Sequence, residues 1–347
     1  MLETRFSLTT FLTTGIGSLP HLEPQDACDF IFRYLANDIP FWPQLPKRDF
    51  KENMYAQYSQ GLPGIVIDEK AKHIYVNTQR AGYDEEVAAA YEHYLAEDVD
   101  YFAISQEYAS GLYAFLESGP RAVNPRYVKG HTIGPISFGL SVTDEHKKAI
   151  IYNEEFCDVL VKALAMKARW QVRKLRGMMD EGRGTRDGHR RVIIFIDEPY
   201  LVSIGSSFFN IKTESVVGML NDVALAIHQE GALAGIHCCG NTDWSIVLRA
   251  GIDILNFDAY NYLDNLLLYR NELKDFSARG GILAWGIVPT ASEEPLPAQA
   301  SLLEKMGIQE KPALITPACG LSGVSVQRAE ETFALLVALT KQLSSKE

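Results

Sequence analysis

Two periodicities alternate along this chain. Short runs rich in Val, Ile and Phe recur at TTGIGS (13–18), DYFAIS (100–105), YVKGHTIG (127–134), VIIFIDEP (192–199), ALAGIHCCG (232–240), DILNFDAY (253–260), GILAWGIVP (281–289) and ALITPACGL (313–321). Between most of them lie longer stretches with apolar residues three or four apart, such as DEEVAAAYEHYLAED, FCDVLVKALAMKARWQVRKLRGMMDEG, TESVVGMLNDVALAIHQEG and RAEETFALLVALTKQL. The first pattern predicts buried strands and the second amphipathic helices. A parallel strand connection needs a long crossover, which a helix supplies, so the alternation predicts a parallel sheet of the α/β class. Eight runs predict one (β/α)8 TIM barrel spanning residues 1–347. A doubly wound open sheet is the alternative, but no G-x-G-x-x-G opens a helix after the first run.

One segment breaks the alternation. Residues 41–78, FWPQLPKRDFKENMYAQYSQGLPGIVIDEKAKHIYVNT, read as an insertion after the first barrel strand, with GIVIDEKAKHIYVN forming two short strands around a polar turn. It suits either a loop over the barrel mouth or a plain packing extension. No fixed-period repeat or low-complexity tract is present.

Composition narrows the function classes. Apolar residues make up 47% and charged residues 22% of the 347, the balance of a soluble globular protein. A net charge of −11 argues against a nucleic-acid partner, which needs clustered cations. The one basic cluster, Gly182 to Arg191, reads as a solvated loop. No window approaches the ~18 apolar residues of a membrane span, and the N-terminus lacks a signal-peptide pattern, so a cytoplasmic protein is expected. The odd number of cysteines, five, fits a reducing compartment, with Cys28 and Cys157 expected as core thiols.

Candidate chemistry gathers at the ends of the apolar runs, where a barrel of this type places its functional residues. Ser18, Glu107, Asp197 with Glu198, His237 with Cys239, Asp258 and Cys319 all fall there. Residues two apart on a strand face the same side, so His237 and Cys239 can point together into the mouth while Cys238 points into the packing layer. Cys319 would reach the same centre from the last strand, and Asp258 could add an oxygen. Zinc accepts such mixed sulfur, nitrogen and oxygen sets. Bland readings stand beside these. Adjacent cysteines also pack as small hydrophobes. Asp258 also suits the N-cap of a helix in DAYNYLDN, and Asp197 and Glu198 suit a buried pair satisfied by helix N-termini or arginine. His131 points to the same mouth and suits either a ligand contact or a structural hydrogen bond. Trp42, Tyr55 and Tyr58 suit stacking on a flat ring or ordinary packing.

GIGSLP, ISQE, VKGHTIGP, IFIDEP, GIHCCGN, ILNFDAY and PACGL together resemble, in matching order, the C-terminal catalytic barrel of cobalamin-independent methionine synthase, of the short core type. The resemblance implies a zinc-dependent methyltransferase that methylates the thiol of homocysteine to make methionine. It assigns His237, Cys239 and Cys319 as zinc ligands and puts Asp258 where the family has a glutamate ligand. It places Ser18, with Ile16 and Gly17 on the same loop, at the homocysteine carboxylate, and Glu107 and Asp197 at its ammonium. The family's full-length members carry a second barrel that helps to hold folate, for which these 347 residues leave no room. IHCCGNTDWSIVLRAGIDILNFD also resembles the corrinoid-linked methyltransferases of the uroporphyrinogen decarboxylase superfamily. The donor implied is therefore a methylated corrinoid, either methylcobalamin or one carried by a corrinoid protein, rather than folate.

Three rivals are weighed against this. Uroporphyrinogen decarboxylase itself needs an arginine-rich N-terminal loop, and TTGIGSLPHLEPQD has none. A zinc methyltransferase for another thiol, such as coenzyme M, fits poorly with two acids suited to an ammonium. A noncatalytic corrinoid-binding or zinc-storage protein would have no use for those acids.

Overall fold

The computed structural model describes residues 8, 10–122, 125–180, 191–204, 210–290, 295–307 and 313–345. The basic stretch 182–190 lies outside them. In chain order the strands are β1 (Leu12–Thr13), β2 (Ile65–Asp68), β3 (His73–Val76), β4 (Tyr127–Ile133), β5 (Thr143–Asp144), β6 (Arg191–Asp197), β7 (Leu233–Cys238), β8 (Ile254–Phe257), β9 (Ile282–Val288) and β10 (Leu314–Pro317). The α-helices are α1 (Pro24–Leu35), α2 (Met54–Ser59), α3 (Tyr83–Leu95), α4 (Ser110–Ala122), α5 (Pro135–Ser141), α6 (Glu154–Asp180), α7 (Thr213–Gln229), α8 (Trp244–Arg249), α9 (Ala259–Leu266), α10 (Arg270–Ala278), α11 (Gln299–Met306) and α12 (Val326–Ser344).

Seven parallel strands form one curled sheet, a half-barrel, in the order β1-β10-β9-β8-β7-β6-β4. The first strand pairs with the last and the rest follow in sequence, which is the winding of a curled sheet and not of a doubly wound one. The smaller sheet, β2-β3-β5, contains the antiparallel hairpin expected at 65–76. Among the described residues no helix is long and apolar enough to cross a membrane.

The eighth strand is where expectation and structure part. DYFAIS forms no strand. Its backbone is spent on turns, with Phe102 N donating to the Val99 carbonyl and Ala103 N to that of Asp100, and Ser105 N donates to the Gln60 side chain. Phe102 and Ile104 are buried all the same, so the apolar run reported burial and not strand geometry. The gap between β1 and β4 is spanned instead by residues 39–44, which make parallel bridges to both edges, Ser18 with Gln44 and Phe41 with Lys129. Pro40 and Pro43 have no N–H to give, which keeps this strip from forming a regular ladder. A full eight-stranded (β/α)8 barrel is therefore not what the strand pairing describes.

Alternation along the sheet divides the core in two. Tyr127, Ile193, Phe195, Leu233, Ile254, Ala284 and Leu314 meet inside the curl, while Val128, Ile194, Ala234, Ile236, Leu255 and Ile315 pack outward against helices. Cys28 belongs to that outer core, and Cys157 is half-buried against Met219.

Lys167 on α6 is buried and donates to the carbonyls of Gln60 (2.7 Å) and Phe102 (3.3 Å), so it pins the stretch that did not become a strand. Burial pushes its ammonium down to about 7 from an ordinary 10.5. The unfolded chain then binds more protons than the native one between those values. Stability carries the full penalty below pH ~7 and recovers as pH rises toward ~10.5. Lys167→Met should remove this rise. Denaturant titrations of both proteins from pH 6 to 10 should give a difference that changes with pH, and a constant difference would show that Lys167 is not a strained cation.

Candidate metal centre

Inward-facing positions near the C-terminal ends of the strands carry the polar residues. Register pairs Asp197 with His237 and His237 with Asn256, so three neighbouring strands put an acid, an imidazole and an amide in one row. Cys239 follows the end of β7, and Cys319 follows the end of β10. The ligand atoms of His237, Cys239 and Cys319 lie within 4.8 Å of one another, the expected nitrogen and two sulfurs. Cys238 turns the other way. Its thiol is buried, donates to the Gly240 carbonyl, and is pushed up to about 12 by burial.

The orientation of His237 is set from behind. Asn256 gives both its amide hydrogens away, to the Ala284 carbonyl at 3.0 Å and to Thr316 Oγ1 at 2.8 Å. Its oxygen is therefore an acceptor, and the partner it faces is His237 Nδ1. That assigns the ring proton to Nδ1 and leaves the Nε2 lone pair, buried and without a hydrogen-bond partner. An orphaned imidazole nitrogen beside two cysteine sulfurs fits a thiophilic divalent metal such as zinc.

The sulfurs are already electronically unequal. Cys319 donates to Cys239, which holds the Cys239 thiol well below its ordinary range while that of Cys319 is raised. Such a thiolate is primed to ligate.

Around this centre the structure sorts the other expected residues. Asp197 is drawn up by burial, an effect opposed by His237 and Lys129, and its Oδ1 is buried without a partner. Glu198, next in sequence, faces away. It accepts from the N–H groups of Ile136 (3.0 Å) and Ser137 (2.8 Å) at the start of α5 and from Ser137 Oγ (2.6 Å), and burial lifts it to about 7. Gly134 makes room for that carboxylate, since a Cβ there would lie 2.0 Å from Glu198 Oε1. Ser18 sits against the loop that follows β10: its carbonyl accepts from Leu321 N, and a Cβ on Gly320 would come 2.2 Å from its hydroxyl. Asp258 is buried and caps α9, accepting from Asn261 N (3.0 Å) and Asn261 Nδ2 (2.7 Å). It also feels the charge of Cys239, which helps burial to raise it. Glu107 is not brought to the centre. It is 64% exposed and paired with Lys51 at 2.5 Å.

Residues of the segment 41–78 pack against His131. Tyr58 donates to the His131 carbonyl, and Trp42 stacks on the His131 ring at 3.9 Å between centroids while its Nε1 donates to Gln171. Both are fully buried, so packing accounts for them. Tyr55 is half-buried and lies where Cys239 and Glu198 act on its hydroxyl, which burial pushes up to about 12. Both ring nitrogens of His131 are buried without partners, and Gly17 lies against that ring so closely that a Cβ would be 2.8 Å from Nδ1. Sequence reasoning missed Asn256 and Lys129. Asn256 is the one polar residue of β8, and Lys129 is a charge in the middle of a fully buried β4, which is the signal that was available.

No protein-family model and no curated protein matches the chain. Among solved structures, it is similar to a B12-independent methionine synthase from Shewanella sp. W3-18-1 in complex with selenomethionine, with a TM-score of 0.44 and 16% identity over 67% of each chain.

Replacing Asn256 with Leu frees the His237 ring from its anchor. Affinity for added Zn2+, read by competition with a chromophoric chelator, should fall by ~10–100-fold, the usual effect of losing such an outer partner. Unchanged affinity would mean that Asn256 does not orient the ligand.

Proposed function

We propose that this chain is a zinc-dependent methyltransferase that methylates the sulfur of homocysteine to give methionine, in the cytoplasm, with a methylated corrinoid as donor. The observation that carries the reading is the group His237, Cys239 and Cys319, gathered within 4.8 Å with an unpartnered imidazole nitrogen. Zinc held there would supply the positive charge that keeps a coordinated thiol deprotonated, which an ordinary thiol with a pKa of about 8.5 is not at neutral pH.

The remaining work falls to the chain's own groups. Asp197 presents its unpartnered Oδ1 beside the ligands and suits the ammonium of an amino acid. Ile16, Gly17 and Ser18 suit its carboxylate, because Ser18 abuts the Cys319 loop. Holding both ends of the amino acid fixes where its sulfur points, which turns part of the barrier into orientation supplied by binding. The ammonium rests on Asp197 alone in this reading, since Glu107 is engaged with Lys51 at the surface. Asp258 remains a candidate fourth ligand, standing near enough to Cys239 for their charges to interact. The donor assignment draws on the likeness of residues 236–258 to corrinoid-linked methyltransferases. His131 and Tyr55 form the wall on which a donor would rest, and residues 41–78 are proposed as the mouth-covering insertion of a single catalytic domain.

The test uses zinc-loaded protein with homocysteine, offered methylcobalamin or methyltetrahydrofolate in separate reactions, with methionine followed by mass spectrometry. Methionine from methylcobalamin alone is expected, and Cys319→Ser should lose both bound zinc and product. Methionine from neither donor, with zinc and homocysteine both bound, would overturn the reading.

A further inference from the structure

Lys129 is a cation in the lumen that the reaction above leaves without a task. It occupies β4 one inward position before His131, is fully buried, and donates from Nζ to the Ile16 carbonyl at 2.5 Å. Two ring faces take the rest of its surroundings, Phe195 with its centroid at 4.5 Å and Phe41 at 5.6 Å. Burial pushes its ammonium down to about 7, and the opposite charge of Asp197 resists that shift. A buried ammonium is costly, and a position beside an apolar floor would be filled more cheaply by Met or Leu.

Its one oxygen partner belongs to the loop of Ile16, Gly17 and Ser18, and every carbonyl of that loop is taken. Lys129 holds the first, Gln44 N holds the second at 3.0 Å, and Leu321 N holds the third at 2.9 Å. Among the described residues the three amide N–H groups of the loop have no acceptor. Free amides on a loop whose first carbonyl is held by a buried amine offer donors to a carboxylate.

We infer that Lys129 is a positioning residue for the carboxylate of the bound amino acid: it fixes the 16–18 amides through the Ile16 carbonyl and places a positive charge beneath them. The inference rests on the methyl-transfer reading and specifies its substrate as an α-amino acid thiol. Asp197 and Lys129 then form two ends of one recognition device, an anion for the ammonium and a cation behind the carboxylate.

The test compares two thiols on zinc-loaded protein by calorimetry: homocysteine, and 3-aminopropane-1-thiol, which has the same thiol and amine without the carboxylate. Lys129→Met should weaken homocysteine by about tenfold or more, the effect of losing a charge-assisted contact. It should leave the aminothiol and the zinc content unchanged. Lys129→Gln keeps a donor for the Ile16 carbonyl without the charge and should fall between. Equal homocysteine binding by wild type and both variants overturns the inference, as does a parallel loss of both thiols, which marks a general support of the fold. If Lys129→Met does not fold, Lys129→Gln decides by the same comparison. Failure of the wild type to bind either thiol defeats the methyl-transfer reading itself, a result distinct from any difference between variants.

Discussion

A strand in a curled parallel sheet sends every second side chain into a lumen packed with side chains, and the site depends on that constraint. Deep in the lumen the constraint is met by apolar residues such as Ile193, Leu233, Ile254 and Leu314. Toward the C-terminal ends it is met by polar ones, which must find partners or lose free energy, about 1–3 kcal/mol for each buried group left alone. Some do find them: Asn256 satisfies its amide through Ala284, Thr316 and His237, and Lys129 reaches the Ile16 carbonyl. Other buried atoms without a partner lie elsewhere, Trp170 Nε1 and Glu52 Oε2 among them, but among the described residues those on the strands of the large sheet are His237 Nε2, Asp197 Oδ1 and the ring nitrogens of His131. Their clustering defines the site more sharply than cavity shape does.

Burial draws both Lys129 and Asp197 toward their neutral forms, and each resists that shift in the other. The Cys239 thiolate is steadied by the Cys319 proton. Neither arrangement is a surface ion pair of the exposed Lys51–Glu107 kind, which water screens to little value. In the interior the same charges interact strongly, so a change in one is felt by all.

How much of this the sequence reveals follows from what each pattern measures. Short apolar runs located β4, β6, β7, β8, β9 and β10 because those strands are buried on both faces, and H-x-C located two of the three residues of the candidate metal group because strand alternation needs no knowledge of the partner strand. Apolarity alone could not separate DYFAIS from a strand, since buried turns satisfied by Gln60 look the same. Asp258 has the Asp-x-x-Asn spacing of a capped helix, and the structure uses it so, yet capping and ligation both suit a strand-end carboxylate. Lys129 and Asn256 stayed hidden for a different reason: the meaning of a polar residue in mid-strand depends on which face is the lumen. Glu107 follows a run that never joined the sheet, and the structure pairs it with Lys51 away from the His237 group.

The strip 39–44 that bridges β1 and β4 has its own consequence. It is laced to β4 by bonds at Pro40 and Trp42 and to the other edge at Thr13, Gly17 and Leu19, far fewer than join β4 to β6. Local opening of a fold begins where the backbone ladder is thinnest. That thin seam holds the Gly17 carbonyl, so its breathing and the loosening of the 16–18 loop are a single movement. In the proposed function the loop offered to the substrate's carboxylate sits on this seam, so a ligand that grips it would also hold the two edges together.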